Sequence, residues 1–379
     1  SSVLPARNGD TFFRMEKVSR KTKNDGAWMN FPSVSLFSST ANADLSKLFK
    51  KLGCESSTNA YSITGSTPLI DCLFAVKYGL YSEAPDDTAM REFMAQEEDI
   101  LLYRNRYTLP LGFWVPENFE SLWNLDAGNP ADVQNSLADG MGTGPVLDAV
   151  LDATAEGKTM TFWPEASGEY YAYVGNKKIE KVTAATWKGT KTFNNVNRGY
   201  LLELGYCIAG EEVTLTAEDT EENMWADVYR FSETGLEQAY NKLSACPWKL
   251  TRWQEALLEG TVSCEEKGIM MTTIPYDKGW TILVDGLEVP AVKMLDAFIG
   301  VPLTEGRHSV FMKYSPPGLK AGWLATFGSL ALLSAIQVSI CLLKRHRGRK
   351  GRQDEGWEAW DEEREAWGEE REAWGEERE

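Results

Sequence analysis

Hydrophobic side chains are spaced differently along the successive parts of this chain. Between Ala321 and Leu343 no residue is charged, and about 20 apolar residues are enough for a helix to cross a bilayer core. Directly afterwards, six basic residues fall within nine positions, 344–352. A Lys/Arg cluster beside an apolar span marks the cytoplasmic side of a membrane. The pattern predicts one transmembrane helix over 321–343, with residues 1–320 extracytoplasmic and the C-terminus cytoplasmic.

The start of the chain lacks the pattern of an export signal. Its first ten residues, SSVLPARNGD, contain no apolar run that would form the centre of a signal peptide. Exporting residues 1–320 ahead of a single helix requires such a signal or earlier membrane spans. We therefore expect this chain to be the C-terminal part of a larger membrane protein.

The first 155 residues mix helical and strand patterns. Apolar residues at helical spacing predict a helix with Asp44 as its N-cap and Gly53 as its stop. A short helix is predicted from Thr67, and another over 132–141. Alternation and apolar runs predict strands at Phe74–Tyr81, Ile100–Arg104 and Leu111–Val115.

From about Thr159 short β-like runs recur between turn residues, which is typical of a β-sandwich or jelly roll. The first runs are Thr159–Trp163, Tyr170–Val174, Tyr200–Leu204, Glu212–Leu215 and Ala226–Phe231. A connecting helix is predicted at Glu233–Leu243, and Asp285-Gly286 predicts a tight hairpin turn. The second block of strands is predicted at Gly268–Pro275, Gly279–Val284, Ala297–Leu303 and His308–Tyr314.

These patterns together predict an α+β fold that ends in one transmembrane helix. The predicted parts are a mixed α/β extracytoplasmic region (1–155), a first antiparallel β-sandwich domain (156–245), a membrane-proximal β domain (246–320), the transmembrane helix (321–343), and a cytoplasmic basic cluster with an acidic tail (344–379).

The acidic tail repeats every seven residues, with Trp360, Trp367 and Trp374 at equivalent positions. Its acidic, low-complexity composition predicts disorder. Gly368 and Gly375 favour the same conclusion, because each costs about 1 kcal/mol relative to Ala in a helix. A weak amphipathic helix or coiled coil is the alternative.

Charge narrows the class of partner. The net charge is −17, but the thirteen acidic residues and three arginines of 354–379 account for −10 of it. The outer region shows no basic patch, which argues against nucleic acid as a partner. The basic cluster at 344–352 is instead suited to anionic lipid headgroups.

Cysteine and histidine are too sparse to indicate a disulfide framework or a metal site. The outer region has an odd number of cysteines without CxxC spacing, and Cys246–Cys264 is the pair most suited to any bridge. With only His308 and His346 in the chain, we expect no metal site. The outer cysteines are Cys54, Cys72, Cys207, Cys246 and Cys264.

Common catalytic signatures do not occur, including GxSxG, HExxH and a Gly-rich loop followed by Lys-Ser or Lys-Thr. His308 lies within a predicted strand, so we expect a packed or surface role rather than a catalytic base. Strand alternation places Trp280 on an apolar face with Ile282 and Val284, which predicts a core role. Other aromatic residues either stack on sugars or pack in the core, and core packing is the commoner use. These residues are Trp163, Tyr170, Tyr171, Tyr173 and Trp187.

Several motifs occur in a specific order along the chain. They include Phe12-Phe-Arg-Met-Glu, Lys23-Asn-Asp-Gly, Gly65-Ser-Thr-Pro-Leu-Ile-Asp, Tyr103-Arg-Asn-Arg-Tyr-Thr-Leu-Pro-Leu-Gly-Phe, Ile274-Pro-Tyr-Asp-Lys-Gly-Trp-Thr-Ile-Leu-Val-Asp-Gly and Lys313-Tyr-Ser-Pro-Pro-Gly-Leu. Together they resemble the C-terminal half of the bacterial YfhO family of polytopic membrane proteins. The resemblance covers about residues 1–343, and the acidic tail departs from it.

The YfhO family is similar to the GT-C glycosyltransferases, which use polyprenyl-phosphate sugar donors on the outer face of the membrane. In gram-positive bacteria it is associated with glycosylating lipoteichoic acid or related polymers. The resemblance therefore implies a polyprenyl-phosphate sugar donor for the full-length protein, and no cofactor within this chain. Such enzymes carry their catalytic carboxylate on an early outer loop that no part of this chain matches. We therefore assign no catalytic residue here and expect the chain alone to be inactive.

Two classes of function remain open from the sequence. In the first, the outer region closes over a transferase site and holds the donor headgroup or acceptor polymer, with Arg14, Asn24 and Asp25 as binding candidates. Asn24-Asp25-Gly26 is also simply a favourable turn. In the second, the chain is a non-catalytic, membrane-anchored glycan-binding or structural ectodomain. The expected partners are membrane lipid, lipid-linked sugar or envelope glycopolymer, and envelope-glycosylation proteins.

Overall fold

The computed structural model describes residues 12–85 and 89–376, and the chain divides into two compact units, residues 1–314 and 315–379. The helices of the first unit are α1 Asp25–Trp28, α2 Ala43–Lys51, α3 Pro68–Leu73, α4 Phe119–Leu122, α5 Pro130–Gly140 and α6 Glu233–Leu243. The second unit contains α7 Leu319–Glu376.

All strands of the described residues belong to the first unit. They are β1 Arg14–Lys17, β2 Leu36–Phe37, β3 Ser56–Ser57, β4 Ala60–Tyr61, β5 Val76–Tyr81, β6 Arg91–Glu97, β7 Ile100–Asn105, β8 Gly112–Pro116, β9 Leu147–Val150, β10 Ala153–Glu156, β11 Thr159–Phe162, β12 Gly168–Tyr173, β13 Lys181–Thr186, β14 Gly189–Asn194, β15 Leu202–Cys207, β16 Val213–Glu218, β17 Asp227–Phe231, β18 Lys249–Gln254, β19 Leu257–Cys264, β20 Gly268–Pro275, β21 Trp280–Val284, β22 Leu287–Glu288, β23 Val292–Met294, β24 Phe298–Leu303 and β25 Gly306–Tyr314.

The strands form six sheets, and the α+β class predicted from the sequence is confirmed. The sheet orders are β1-β5-β7-β6, β2-β4-β3, β10-β11-β16-β13-β14, β15-β12-β17-β9, β18-β19-β25-β21-β22 and β23-β24-β20-β8. The pairing of β1 with β5 is parallel. The other pairings described for these sheets are antiparallel, for example β19 with β25 and β20 with β24.

The helix α2 shows how local sequence sets an element boundary. Its apolar face is buried, as the spacing predicted, but the N-cap is Asn42 rather than Asp44. The Asn42 side chain accepts hydrogen bonds from the amides of Asp44 and Leu45 at 2.9 and 3.2 Å. Asp44 instead lies in the first turn, where its charge is favoured by the helix dipole, and it forms an ion pair with Lys293 at 2.7 Å.

Alternating burial shapes the middle of the first unit. In β16, Val213, Leu215 and Ala217 are buried while the residues between them are not. They share one apolar cluster with buried residues of β12 and β15, such as Ala172 and Leu204, which belong to another sheet. Whether these sheets form the predicted β-sandwich stays a prediction.

One sheet joins distant parts of the sequence. Strand β8 pairs with β20 along five residue pairs, including Phe113 with Met271. Residues predicted to lie in the 1–155 and 246–320 parts therefore share a sheet. The division into three extracytoplasmic parts stays a prediction.

The aromatic residues of the first β block divide into two groups. Tyr170 and Tyr171 are buried, which confirms their predicted core role, and Tyr173 is half-buried. The core prediction is wrong for Trp163 and Trp187, whose exposed fractions are 46% and 50%. Trp187 lies in the turn between β13 and β14, and its indole nitrogen donates to the carbonyl of Tyr206, in β15 of another sheet, at 2.8 Å.

The hairpin predicted at Asp285-Gly286 is confirmed. Both residues have positive φ angles, 52° and 83°, as a two-residue type I′ turn requires. The Asp285 carboxylate contacts the imidazole of His308 at 2.7 Å and accepts the Ser309 amide at 2.8 Å. The hydrogen bond from His308 lowers the pKa of Asp285. His308 is buried between these partners and the Thr304 carbonyl, as a packed strand residue.

All six cysteines, including Cys246 and Cys264, are free thiols in this structure. The suggested Cys246–Cys264 bridge is therefore not formed. Burial raises the pKa of the Cys54 and Cys72 thiols, the latter to about 12, so both are protonated at neutral pH.

The second unit is a single helix, α7, which begins at Leu319. Its stretch Leu319–His346 spans 28 residues, includes an 18-residue window with a mean hydropathy of 1.9, and is long and apolar enough to cross a membrane. This confirms a candidate spanning helix at the predicted place. Which end faces the cytoplasm stays a prediction.

In this structure α7 continues through the tail to Glu376, and the disorder of the tail stays a prediction. Glu, Ala and Arg, which dominate the repeat, are strong helix formers. Extending an existing helix also avoids the unfavourable nucleation step. Asp361 and Arg364, three residues apart, lie 4.0 Å from each other on one face. These gains outweigh the cost of Gly368 and Gly375.

Candidate functional site

A cleft of about 370 Å³ opens on the first unit beside the end of β1. Its walls come from α1, β18, β19, β20 and β21, so that it joins the start of the unit to its last sheet. We call it the aromatic cleft. Its aromatic and apolar walls are formed by Phe12, Phe31, Trp253, Trp280, Ala27, Pro32, Leu111, Leu258, Ile274 and Pro275, and its polar lining by Arg14, Asn30, Gln254 and Glu255, with Gly26.

Two aromatic pairs hold the cleft walls in place. Phe12 meets Trp253 edge to face, with ring centroids 5.4 Å apart. Trp280 packs against Tyr314 with centroids 5.2 Å apart. Each tryptophan is half-buried, so one side packs on the protein while the other lines the cleft. Such rings offer apolar faces to a sugar ring or an isoprenoid chain at little cost in side-chain entropy.

Arg14 is a half-buried cation in this cleft. Its guanidinium donates to the Phe74 carbonyl at 2.7 Å and to the hydroxyl and carbonyl of Thr273, both at 2.9 Å. It also lies 5.3 Å from the centroid of the Phe12 ring, within cation–π distance. All of these partners are neutral. Among the described residues, no carboxylate forms an ion pair with Arg14.

Burial lowers the pKa of Arg14 to about 10, although Glu16 and Tyr61 act in the opposite direction. The guanidinium is therefore still charged at neutral pH. The Glu16 carboxylate is engaged elsewhere: it accepts the Ser33 hydroxyl at 2.9 Å and the Ser35 amide at 2.8 Å. A buried charge without an ionic partner is costly. An anion in the cleft would offset that cost.

The other two residues predicted from the sequence serve the turn that precedes α1. The Asn24 side chain forms two hydrogen bonds with the Phe37 backbone. It donates to the Phe37 carbonyl at 2.9 Å and accepts from the Phe37 amide at 2.8 Å. Asp25 accepts the amides of Lys21 and Thr22 at 2.9 and 3.0 Å. Its pKa falls to about 2, since these hydrogen bonds outweigh the effect of burial. The adjoining Gly26 and Ala27 line the aromatic cleft, whereas Asn24 and Asp25 do not.

Sequence analysis missed Trp253 and Glu255 as cleft residues. Trp253 lies near the end of β18, and Glu255 lies in the turn that follows it. Strand β18 and this turn were not predicted, because most of their residues are polar and exposed. Trp253 within the alternating run Lys249–Gln254 was the available signal. Glu255 is exposed at the rim, and it is the one carboxylate among the residues that line this cleft.

A family model described as "Bacterial membrane protein YfhO" matches residues 2–156 and 152–326. The chain belongs to the YfhO family of bacterial membrane proteins. The aromatic cleft of this YfhO-family chain brings together two stretches on which its sequence resemblance rests, Phe12-Phe-Arg-Met-Glu and Ile274-Pro-Tyr-Asp-Lys-Gly-Trp.

Two solved vicilin structures show a limited likeness to this YfhO-family chain. Vicilin from tomato (Solanum lycopersicum) is 11% identical over 42% of this chain and 70% of the vicilin chain, with a TM-score of 0.11. Vicilin from hazelnut (Corylus avellana) is 9% identical over 41% of this chain and 72% of the vicilin chain, with a TM-score of 0.12. A search of curated proteins finds no match.

Proposed function

We propose that this chain is the extracytoplasmic part of a GT-C-type glycosyltransferase. The enzyme would move a sugar from a polyprenyl-phosphate donor to a cell-envelope polymer such as lipoteichoic acid. The aromatic cleft would hold the phosphate-linked sugar of the donor or a phosphate-bearing unit of the acceptor. Residues 1–320 would lie outside the membrane and the C-terminus in the cytoplasm, with the basic cluster at 344–352 against anionic lipid.

The observation that carries this proposal is the half-buried charge of Arg14, which has no ionic partner among the described residues. Its hydrogen bonds go to neutral oxygens, and its guanidinium has further N–H groups for a ligand. A guanidinium matches the geometry of a phosphate, and hydrogen bonds between charged groups are stronger than neutral ones. The chemistry of the cleft therefore favours a ligand that carries a phosphate.

The aromatic walls favour a ligand that also has apolar surface. Phe12, Trp253 and Trp280 would contact the C–H faces of a sugar or the first isoprene units. Tyr314, which packs on Trp280, is the last residue of the first unit. Only Ser315–Gly318 separate it from the candidate membrane helix in sequence. A polyprenyl-phosphate sugar combines phosphate, sugar and membrane anchor in one molecule.

No residue of this chain is proposed as catalytic. In the resembling GT-C enzymes the catalytic carboxylate belongs to an outer loop between membrane helices, and no motif of this chain matches that loop. The described residues would bind and orient the ligand and exclude water around it. The chain by itself should give no sugar transfer above background.

The test is a calorimetric titration of the full chain. The probe is a soluble isoprenyl phosphate-glucose, in which the phosphate joins glucose to a ten-carbon isoprenyl chain. An amine-oxide detergent is required, because it carries neither sugar nor phosphate. Replacing Arg14→Gln should weaken binding about 10- to 100-fold, the equivalent of the 1.5–3 kcal/mol of a hydrogen bond to a charged group. Arg14→Lys should recover part of the affinity, since it restores the charge without the planar fork.

Two further variants test whether a loss of affinity is specific to the aromatic cleft. Arg106→Gln removes an exposed arginine elsewhere on the unit and should leave affinity unchanged. Trp253→Leu removes one wall of the cleft without touching Arg14, and it should also weaken binding. If the affinity of Arg14→Gln for the phosphate probe equals that of the unchanged chain, the proposal fails. Binding without any transfer by the complete membrane protein would favour the glycan-binding ectodomain instead.

A further inference from the structure

A second cleft, of about 320 Å³, lies on the first unit where α3, β5 and β6 meet β14 and β15. Its lining is charged rather than apolar, unlike that of the aromatic cleft. We call it the polar cleft. The charged and hydroxyl groups that matter here are those of Arg20, Asp71, Tyr81, Arg91, Lys191 and Glu203.

The opposite charges in the polar cleft are close but loosely paired. The Arg91 guanidinium lies 4.0 Å from a carboxylate oxygen of Glu203, and the Lys191 ammonium lies 3.6 Å from the other. Both distances exceed those of direct hydrogen bonds. Arg91 is nevertheless only 8% exposed. A hydroxyl group placed between such a cation and carboxylate would accept from one and donate to the other.

The hydroxyl of Tyr171 is an unsatisfied polar group next to the polar cleft. Its side chain is fully buried, and within the described part of the chain this hydroxyl has no hydrogen-bond partner. Tyr171 pairs with Glu203 between strands β12 and β15, but it is not among the residues that line the polar cleft. An unsatisfied buried hydroxyl costs about 1–3 kcal/mol. The protein interior beside Glu203 therefore contains a polar group that the fold leaves without a hydrogen bond.

Asp71 adds a carboxyl group whose protonation state changes near neutral pH. It lies in the first turn of α3, and one of its oxygens accepts the Ser66 hydroxyl at 2.8 Å. Burial raises the pKa of Asp71 to about 7, despite the Ser66 hydrogen bond and the charge of Arg91, which lower it. Near neutral pH this carboxyl can therefore donate or accept a hydrogen bond.

The polar cleft contains both cations and carboxyl groups, and this combination favours some classes of ligand over others. An isoprenoid or acyl chain would have to desolvate Arg91, Lys191 and Glu203 without replacing their hydrogen bonds, which is costly. A polyanion would bring its charges against the Glu203 carboxylate, which already faces Arg91 and Lys191. A molecule with adjacent hydroxyls, each able to donate and accept, satisfies cations and carboxylates together.

We propose that the polar cleft binds a neutral saccharide unit through adjacent hydroxyl groups held by Arg91, Lys191 and Glu203. Tyr81 and Tyr200 add ring surface beside them. The cavity volume lies within the range of about 300–1,000 Å³ typical of small-molecule sites. This inference goes beyond the proposed transferase and holds with or without it.

The test is a saturation-transfer NMR titration of the full chain in amine-oxide detergent. The probes are the methyl glycosides of glucose, galactose and N-acetylglucosamine, with glycerol phosphate as the anionic comparison. At least one glycoside should bind saturably and more tightly than glycerol phosphate. Glu203→Gln, which keeps the shape of the side chain, should weaken that binding at least tenfold. Glu211→Gln, an exposed control, should not change it.

Tyr171→Phe is a control beside the polar cleft, because the hydroxyl that it removes has no partner within the described residues and does not line the cleft. Its melting temperature should stay equal or rise, and its glycoside affinity should stay close to that of the unchanged chain. Saturable binding by none of the glycosides would overturn the inference, as would unchanged affinity in Glu203→Gln or tighter binding of glycerol phosphate. Arg14→Gln should retain glycoside binding, so failure of the transferase proposal and failure of this one are distinguishable.

Discussion

Replacing Trp280 with alanine tests whether this residue supports the fold, the ligand site, or both. Removing a fully buried tryptophan costs about 3–5 kcal/mol. Trp280 is only half-buried, so we expect about 2 kcal/mol from lost burial. The contact with Tyr314, at 5.2 Å between centroids, adds about 0.5–1.5 kcal/mol. For a unit of about 300 residues, a total near 3 kcal/mol corresponds to a fall of about 4–5 °C in melting temperature.

The assay is thermal unfolding of the full chain in detergent, followed by tryptophan fluorescence. Trp225→Ala is the matched control, because Trp225 is 55% exposed and its loss should move the melting temperature by about a degree or less. Trp280→Phe should recover most of the lost stability. An unchanged melting temperature in Trp280→Ala, together with loss of isoprenyl phosphate-glucose binding, would show that the residue is a ligand platform alone and would refute the packing argument.

Three further predictions concern folding and topology. Asn129→Ala should cost about 2 kcal/mol by denaturant titration, because Asn129 caps α5 and also donates to the Tyr229 hydroxyl at 2.6 Å. Asp71 holds its proton in the folded state up to about pH 7, well above its ordinary pKa of 3.8. The free energy of unfolding should therefore decline between about pH 4 and pH 7. In Asp71→Asn this decline should be smaller by about 1–4 kcal/mol. In intact cells, a membrane-impermeant reagent should label a cysteine placed in the Asp285-Gly286 turn and should not label one placed in the 356–379 tail. The reverse result would overturn the proposed topology.

Elements with strong local signals could be predicted from the sequence. The apolar spacing of α6 gave its observed bounds, Glu233–Leu243. Asp285-Gly286 was identified because a two-residue turn of this type needs positive φ angles that Asp and Gly tolerate. The candidate membrane helix was visible from its length and lack of charge. In each case the deciding residues are neighbours in the chain.

Features that depend on distant contacts could not be predicted. Strands β13 and β14 were missed because Lys, Thr and Gly dominate their exposed faces, and only Val182, Ala184 and Phe193 mark the buried side. The pairing of β8 with β20 joins residues that lie more than 150 positions apart. No periodicity in either strand specifies that partner.

The candidate site shows the same limit. Arg14 was selected from its motif, but its burial results from Phe74 and Thr273, which are distant in sequence. The polar cleft was not predicted at all. Its charged residues come from four separate elements and one loop, and they look like ordinary surface charge along the chain. Only the folded arrangement shows that Arg91 and Glu203 face each other.

The central claim is that the aromatic cleft holds a polyprenyl-phosphate sugar, and photo-crosslinking tests it most directly. A polyprenyl-phosphate glucose with a diazirine in its first isoprene unit would be irradiated with the full chain, and the attachment sites mapped by mass spectrometry. We predict attachment at Trp253–Glu255 and Ile274–Trp280, reduced in Arg14→Gln. Attachment that leaves these two segments unlabelled, or that is unaffected by Arg14→Gln, would contradict the account.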